Sequence, residues 1–140
     1  MKMFETFDLF IDQMRKEVRS LGVRELRTAE EVDNTVKEKG TMLVFVNSTC
    51  GCTGSIARPA LSIALKDKRL PDQITTVFAG QDREATERAR SYFTDQPPSS
   101  PSFALLKDGR LVKMIHRSDI EGREPEEVAG LLRETFQKFC

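Results

Sequence analysis

Residues Thr41 to Asn47, TMLVFVN, run for seven positions without a charge and are rich in β-branched and aromatic side chains. Apolar side chains on both sides of the pleat need cover on both sides, so this run is expected as a central strand sandwiched between helices. The chain then turns abruptly polar. Asn47, Ser48 and Thr49 lead into Cys50-Gly51-Cys52, and beyond them Ile56, Ala57, Ala60, Leu61, Ala64 and Leu65 keep a helical period up to Lys66. Pro59 lies inside that helix and predicts a kink, because it lacks an N–H and crowds the preceding turn. Two thiols therefore stand where a buried strand gives way to a helix, and function is sought at this junction first.

The other elements read outward from that strand. Phe4, Phe7, Phe10, Ile11, Met14, Val18 and Leu21 recur at helical spacing and predict an N-terminal helix that ends near Gly22, with its apolar stripe laid on a sheet or a partner. Val23 to Arg27 suits a short strand. Thr28-Ala29-Glu30-Glu31 has the capping-box pattern for a helix running to about Lys39 and closed by Gly40. Ile74 to Ala79 returns as a strand, and Asp82 is the expected N-cap of a helix through Phe93. The segment Gln96-Pro97-Pro98-Ser99-Ser100-Pro101 must be a loop. Ser102 to Leu106 and Leu111 to His116, joined around Asp108-Gly109, predict a β-hairpin. A last helix begins at Pro125 and buries Val128, Leu131, Leu132, Phe136 and Phe139, while Glu121, Glu124, Glu126 and Glu127 complement its N-terminus.

Composition narrows the function classes. With 140 residues, 39% of them hydrophobic, the chain (1–140) is expected to form one α/β domain around a single core. Its 22 basic residues are balanced by 22 acidic ones, so no positive field is available to hold a phosphate backbone, and nucleic acid is not an expected partner. Lys2, Glu5, Asp8 and Asp12 interrupt the start of the chain where an export signal would be apolar, and no stretch reaches membrane-spanning length. Three cysteines without such a signal point to a reducing, cytoplasmic setting, where a close pair is catalytic or metal-binding more often than structural.

The element order resembles the thioredoxin fold, which implies a central mixed sheet of four to five strands flanked by helices, here with an added N-terminal helix. Cys50, Pro59 and Pro101 fall where that fold carries its redox cysteine, a kinking proline and a cis-proline. A closer resemblance is to the bacilliredoxin family and covers nearly the whole chain. It is carried by Asn47-Ser48-Thr49-Cys50-Gly51-Cys52, Ala57-Arg58-Pro59-Ala60, Val77-Phe78-Ala79-Gly80-Gln81-Asp82 and Pro98-Ser99-Ser100-Pro101-Ser102, with the terminal Cys140 fitting as well. The resemblance implies removal of bacillithiol from mixed disulfides on proteins, with Cys50 as attacking thiol and Cys52 as its neighbour. On that reading the partners are S-bacillithiolated proteins, bacillithiol is a co-substrate, no cofactor or metal is bound, and the chain works as a monomer or weak dimer.

The residues themselves constrain the chemistry. Side chains two apart on a regular helix point to nearly opposite sides, so Cys50 and Cys52 must straddle the helix boundary if their sulfurs are to meet. Gly51 is expected to supply the unusual backbone dihedrals this needs, and a bond across the pair should be strained and easily reduced. Free N–H groups and the helix dipole should lower the thiol pKa of Cys50. Ser100 and Pro101 are binding candidates because a cis-proline loop in this fold faces the redox pair. Thr49, with Asn47 and Ser48, reads as a helix cap or as part of the binding surface. Arg58 is either a solvated helix residue or a cation that steers a carboxylate-bearing thiol such as the malyl group of bacillithiol. His116, alone and at a strand end, reads as structural. Cys140 is a harmless tail thiol, a partner in an intermolecular disulfide or a distant resolving thiol. Two competing readings stand: a soft-metal carrier using Cys50 and Cys52 with Cys140 or a partner, and a general protein disulfide isomerase with broad clients.

Overall fold

The computed structural model describes the backbone from residue 3 to residue 140 and side chains from residue 6 onward. In chain order the elements are α1 (Met3–Arg19), β1 (Arg24–Glu25), α2 (Ala29–Val36), β2 (Thr41–Asn47), a π-helical turn (Thr53–Ala57), α3 (Arg58–Ala64), β3 (Gln73–Phe78), α4 (Arg83–Ser91), β4 (Ser102–Lys107), β5 (Arg110–Ile115), a 3₁₀ turn (Arg117–Asp119) and α5 (Pro125–Phe139). The five strands form one sheet in the order β1-β3-β2-β4-β5. β1 and β2 flank β3 in parallel, while β4 lies antiparallel to both β2 and β5.

The uncharged run becomes β2, at the centre of the sheet with all seven residues buried. Alternation then divides its side chains between two cores. Leu43 and Phe45 join the α3 and α5 residues Ala60, Leu61, Val128, Leu132 and Phe136. Met42, Val44 and Val46 join Val32 and Val36 of α2 and Ala85 and Ala89 of α4. Phe45 also stacks on Phe103 of β4, with ring centroids 4.9 Å apart. The hairpin turns as expected: Asp108 and Gly109 take φ 49° and 79°, the left-handed pair that a two-residue type I′ turn requires.

Four expectations change in detail. The N-terminal stripe is only partly used: Ile11, Met14 and Val18 are buried, whereas Phe7 and Phe10 remain 48% and 51% exposed, and Phe4 lies outside the described side chains. The helix turns the 11-14-18 line inward, because that rotation also brings Arg15 between Glu25 and Asp82 (Nη1 to Glu25 Oε2 2.9 Å, Nη1 to Asp82 Oδ2 2.7 Å). Asp82 accordingly does not cap α4 with its side chain; its carboxylate is taken by this buried guanidinium. α2 ends at Val36 instead of Lys39, although Thr28 does cap it, its Oγ1 accepting the Glu31 N–H at 3.1 Å. Pro59 produces a change of helical pitch: the turn before it widens to π, Arg58 N–H bonding to Thr53 O, and Pro59 opens α3 at a position that tolerates a missing donor.

Candidate active site

The C-terminal end of β2 delivers Asn47 and Ser48 into the turn that carries the cysteines. Asn47 Oδ1 accepts the Ser48 N–H at 3.1 Å. Ser48 Oγ accepts the Cys50 N–H at 3.3 Å and pairs with Thr53 Oγ1 at 2.6 Å. Ser48, buried, therefore makes the capping contacts, while Thr49 is exposed and free to face a ligand.

Cys50 sits in the bend and Cys52 in the first helical turn, both partly exposed and reduced, with their sulfurs 3.0 Å apart. Straddling the boundary solves the spacing problem without unusual dihedrals at Gly51. That glycine keeps a φ open to any L-residue, and a Cβ there would meet open space, so the expectation of special backbone freedom at Gly51 is corrected.

The two thiols are driven apart in acidity. Cys50 is held below the ordinary thiol value, first by the hydrogen bond from the Cys52 thiol, then by the Cys52 backbone N–H, with smaller help from Arg117 and the Thr53 N–H. Cys52 is pushed up to about 11, chiefly by burial and then by its bond to Cys50 and the charge there. Ionisation therefore favours Cys50 as the nucleophile, while Cys52 keeps its proton. The attack rate should rise with pH through the lowered Cys50 value and then level off. Cys52→Ala and Arg117→Met should each move the midpoint of Cys50 alkylation to higher pH, with the alanine change the larger because it removes the leading cause, the side-chain donor. Iodoacetamide kinetics against pH measure this, and an unmoved midpoint in Cys52→Ala would contradict the assigned origin of the acidity.

Around Cys50 lies an open depression of about 420 Å³ lined by residues that include Ser48, Thr49, Gly80, Ser100, Arg90 and Arg117. Ser100-Pro101 is cis; Pro101 is buried and Ser100 lines the depression. The loop is pinned by His116, whose Nδ1 lies 2.9 Å from Ser99 Oγ and whose Nε2 lies 2.8 Å from Gln96 Oε1, in keeping with a structural histidine. Arg117, next in sequence, pairs with Glu121 and donates to Ser100 O at 3.4 Å.

Two sequence candidates lie elsewhere. Arg58 is buried, Nη1 donating to Asn47 Oδ1 at 3.2 Å and Nε facing Glu17 Oε2 at 3.1 Å. It braces the cysteine turn against α1, so both its readings, solvated residue and steering cation, are corrected. Cys140 is set beside Thr41, which begins β2, whereas Cys50 follows the end of that strand; seven residues of strand separate the poles by about 20 Å. Cys140 is thus not brought to Cys50 to resolve a disulfide or complete a metal shell. Arg90 and Arg117 carry no signal in the sequence. Their separations from Cys50 are long, and no local pattern distinguishes them from solvated basic residues.

Comparison with known proteins places this geometry. A family model described as disulphide isomerase matches residues 7–140. A bacilliredoxin of Geobacillus kaustophilus is 53% identical over 137 residues, covering 98% of this chain and 94% of its own. One from Staphylococcus aureus is 53% identical over 138 residues, covering 96% and 95%. Among solved structures, Fasciola hepatica thioredoxin aligns with a TM-score of 0.58 at 23% identity, over 84% of this chain and all of that one (100%). Malassezia sympodialis thioredoxin aligns with a TM-score of 0.61 at 11% identity, over 84% and 90%. The fold is thioredoxin-like, and the chain belongs to the bacilliredoxin family of thiol-disulfide oxidoreductases.

Proposed function

We propose that this oxidoreductase removes bacillithiol from mixed disulfides on oxidised cytoplasmic proteins. The observation that carries the reading is the asymmetric sulfur pair: a partly exposed Cys50 with lowered pKa, 3.0 Å from a Cys52 that keeps its proton, at the edge of an open depression. The Cys50 thiolate attacks the bacillithiol sulfur of the modified protein. A Cys50–bacillithiol disulfide forms as the client–bacillithiol bond breaks, and the departing electron pair leaves on the client sulfur, which takes up a proton from solvent. The client is reduced and Cys50 carries the oxidation.

A second thiolate must clear the adduct, either free bacillithiol or Cys52. Two causes that hold the Cys52 pKa high, the bond to Cys50 and its charge, vanish once Cys50 is capped, and burial remains. Capping therefore moves Cys52 toward reactivity at the stage where a resolving thiol is needed.

Incubating the reduced protein with bacillithiol-capped and glutathione-capped forms of one client, with mass spectrometry as the readout, tests the reading. A bacillithiol adduct on Cys50 with little or no glutathione adduct is the expected result, and equal transfer from both would sink the preference. Equal transfer would favour the second reading, general protein disulfide exchange, to which the description of the matching family model also points.

A further inference from the structure

The depression around Cys50 is lined by two arginines and no acid. Arg117 has its counter-charge in Glu121. Arg90, in the last turn of α4, has none: among the described residues it makes no ion pair, its Nε is buried without a hydrogen-bond partner, and its one side-chain hydrogen bond is a long one, Nη2 to Ser99 O at 3.4 Å. Burial lowers the Arg90 pKa, and Glu87, one turn earlier, opposes this only through space. A half-buried guanidinium with no counter-charge and an unpartnered Nε is costly unless an anion completes it. The bland explanation, a cation set against helix C-terminal carbonyls, is not what the side chain does, since its bond goes to the loop before Pro101.

We propose that Arg90 is a carboxylate-binding residue of this site, receiving the acidic end of the small thiol whose sulfur Cys50 attacks. The inference rests on the exchange reading proposed for Cys50 and supplies its selectivity. Arg90 and Cys50 line the same depression, so a thiol that carries its sulfur at one end and a carboxylate at the other can engage both. Guanidinium–carboxylate pairing is directional and planar, and apart from the long Nη2 contact to Ser99 O the terminal nitrogens of Arg90 carry no hydrogen bond among the described residues.

The test compares rate constants of reduced wild type, Arg90→Met and Arg90→Lys with four disulfides. These are bacillithiol disulfide, glutathione disulfide, the neutral bis(2-hydroxyethyl) disulfide, and an acidic peptide whose cysteine carries a neutral 2-hydroxyethyl cap. In Arg90→Met the ratio of the bacillithiol rate to the neutral rate should fall tenfold or more. Arg90→Lys, a point charge without the planar fork, should retain part of the ratio. The pH midpoint of Cys50 alkylation should stay in place, because Arg90 is not among the groups that set it. A fall in both rates together would mean that Arg90 only anchors the loop, and would overturn the proposal, as would an unchanged ratio. Loss confined to the acidic peptide would also overturn it, transferring the site to client carboxylates. Glutathione disulfide, which carries carboxylates too, separates the two readings: indifference of the wild type between the two thiols would remove the bacillithiol preference, while an Arg90→Met deficit toward both would leave the carboxylate site standing.

Discussion

Cys50→Ser is expected to reduce exchange to the uncatalysed background, a loss of roughly 10³-fold or more, because a hydroxyl neither ionises near neutrality nor forms a bond that a thiol can reopen. The remaining Cys52 does not take over. Burial, the first cause of its raised pKa, persists when Cys50 is gone, and Cys50 is the sulfur that the backbone N–H groups of Cys52 and Thr53 serve. Cys52→Ala should behave differently. Attack continues more slowly at neutral pH, since Cys50 has lost its main hydrogen bond, and whether the adduct then accumulates identifies the thiol that clears it. Mass spectrometry of single turnovers distinguishes the two variants. Normal cap removal by Cys50→Ser would refute the nucleophile assignment.

The second large effect lies away from the sulfurs. Arg15 reaches across from α1 to β1 and to the start of α4, with side-chain exposures of 7% for Arg15, 11% for Glu25 and 8% for Asp82. Its guanidinium also lies 5.1 Å from the centre of the Phe78 ring. Removing the cation would leave two carboxylates facing each other with little solvent, the arrangement in which breaking a buried pair costs about 3 to 5 kcal/mol. Arg27, at 3.5 Å from Asp82 but 55% exposed, offers only partial compensation. Arg15→Met is therefore expected to lower the denaturation midpoint by about 10 °C or more. Arg117→Met, whose side chain is 45% exposed, should leave that midpoint nearly unchanged. Thermal unfolding of the two variants measures the contrast, and a shift for Arg15→Met within about 1 kcal/mol would show that water, not the ion pair, solvates the acids.

The Arg15 network also shows where sequence reading stops. β2 is legible to the residue because an uncharged β-branched run has few places to go, and the hairpin because Asp108-Gly109 is a turn signal in itself. The cysteine pair and the cap at Thr28 are legible for similar local reasons, and the cis bond at Pro101 from the resemblance to the thioredoxin fold. Asp82 reads as a cap, yet its role is decided by a guanidinium 67 residues earlier, a contact that local pattern cannot encode. Arg58 misleads in the same way: a helix position beside the motif looks solvated until Asn47 and Glu17 are seen to enclose it. Arg90 and Arg117 reach the cysteine turn only through the return of α4 and β5 to the same end of the sheet. The nucleophile is thus visible in the sequence, while the charges that surround it are not.

His116 closes the end of β5 and holds the Ser99 hydroxyl, and the residue after it is the arginine that favours the ionised Cys50. The loop before Pro101 and the cation beside Cys50 consequently hang from a single strand terminus. Any drift of that hairpin to admit a bulkier thiol also carries the cation away from the sulfur, so a descendant of this protein that broadened its diet would be expected to become slower at every meal.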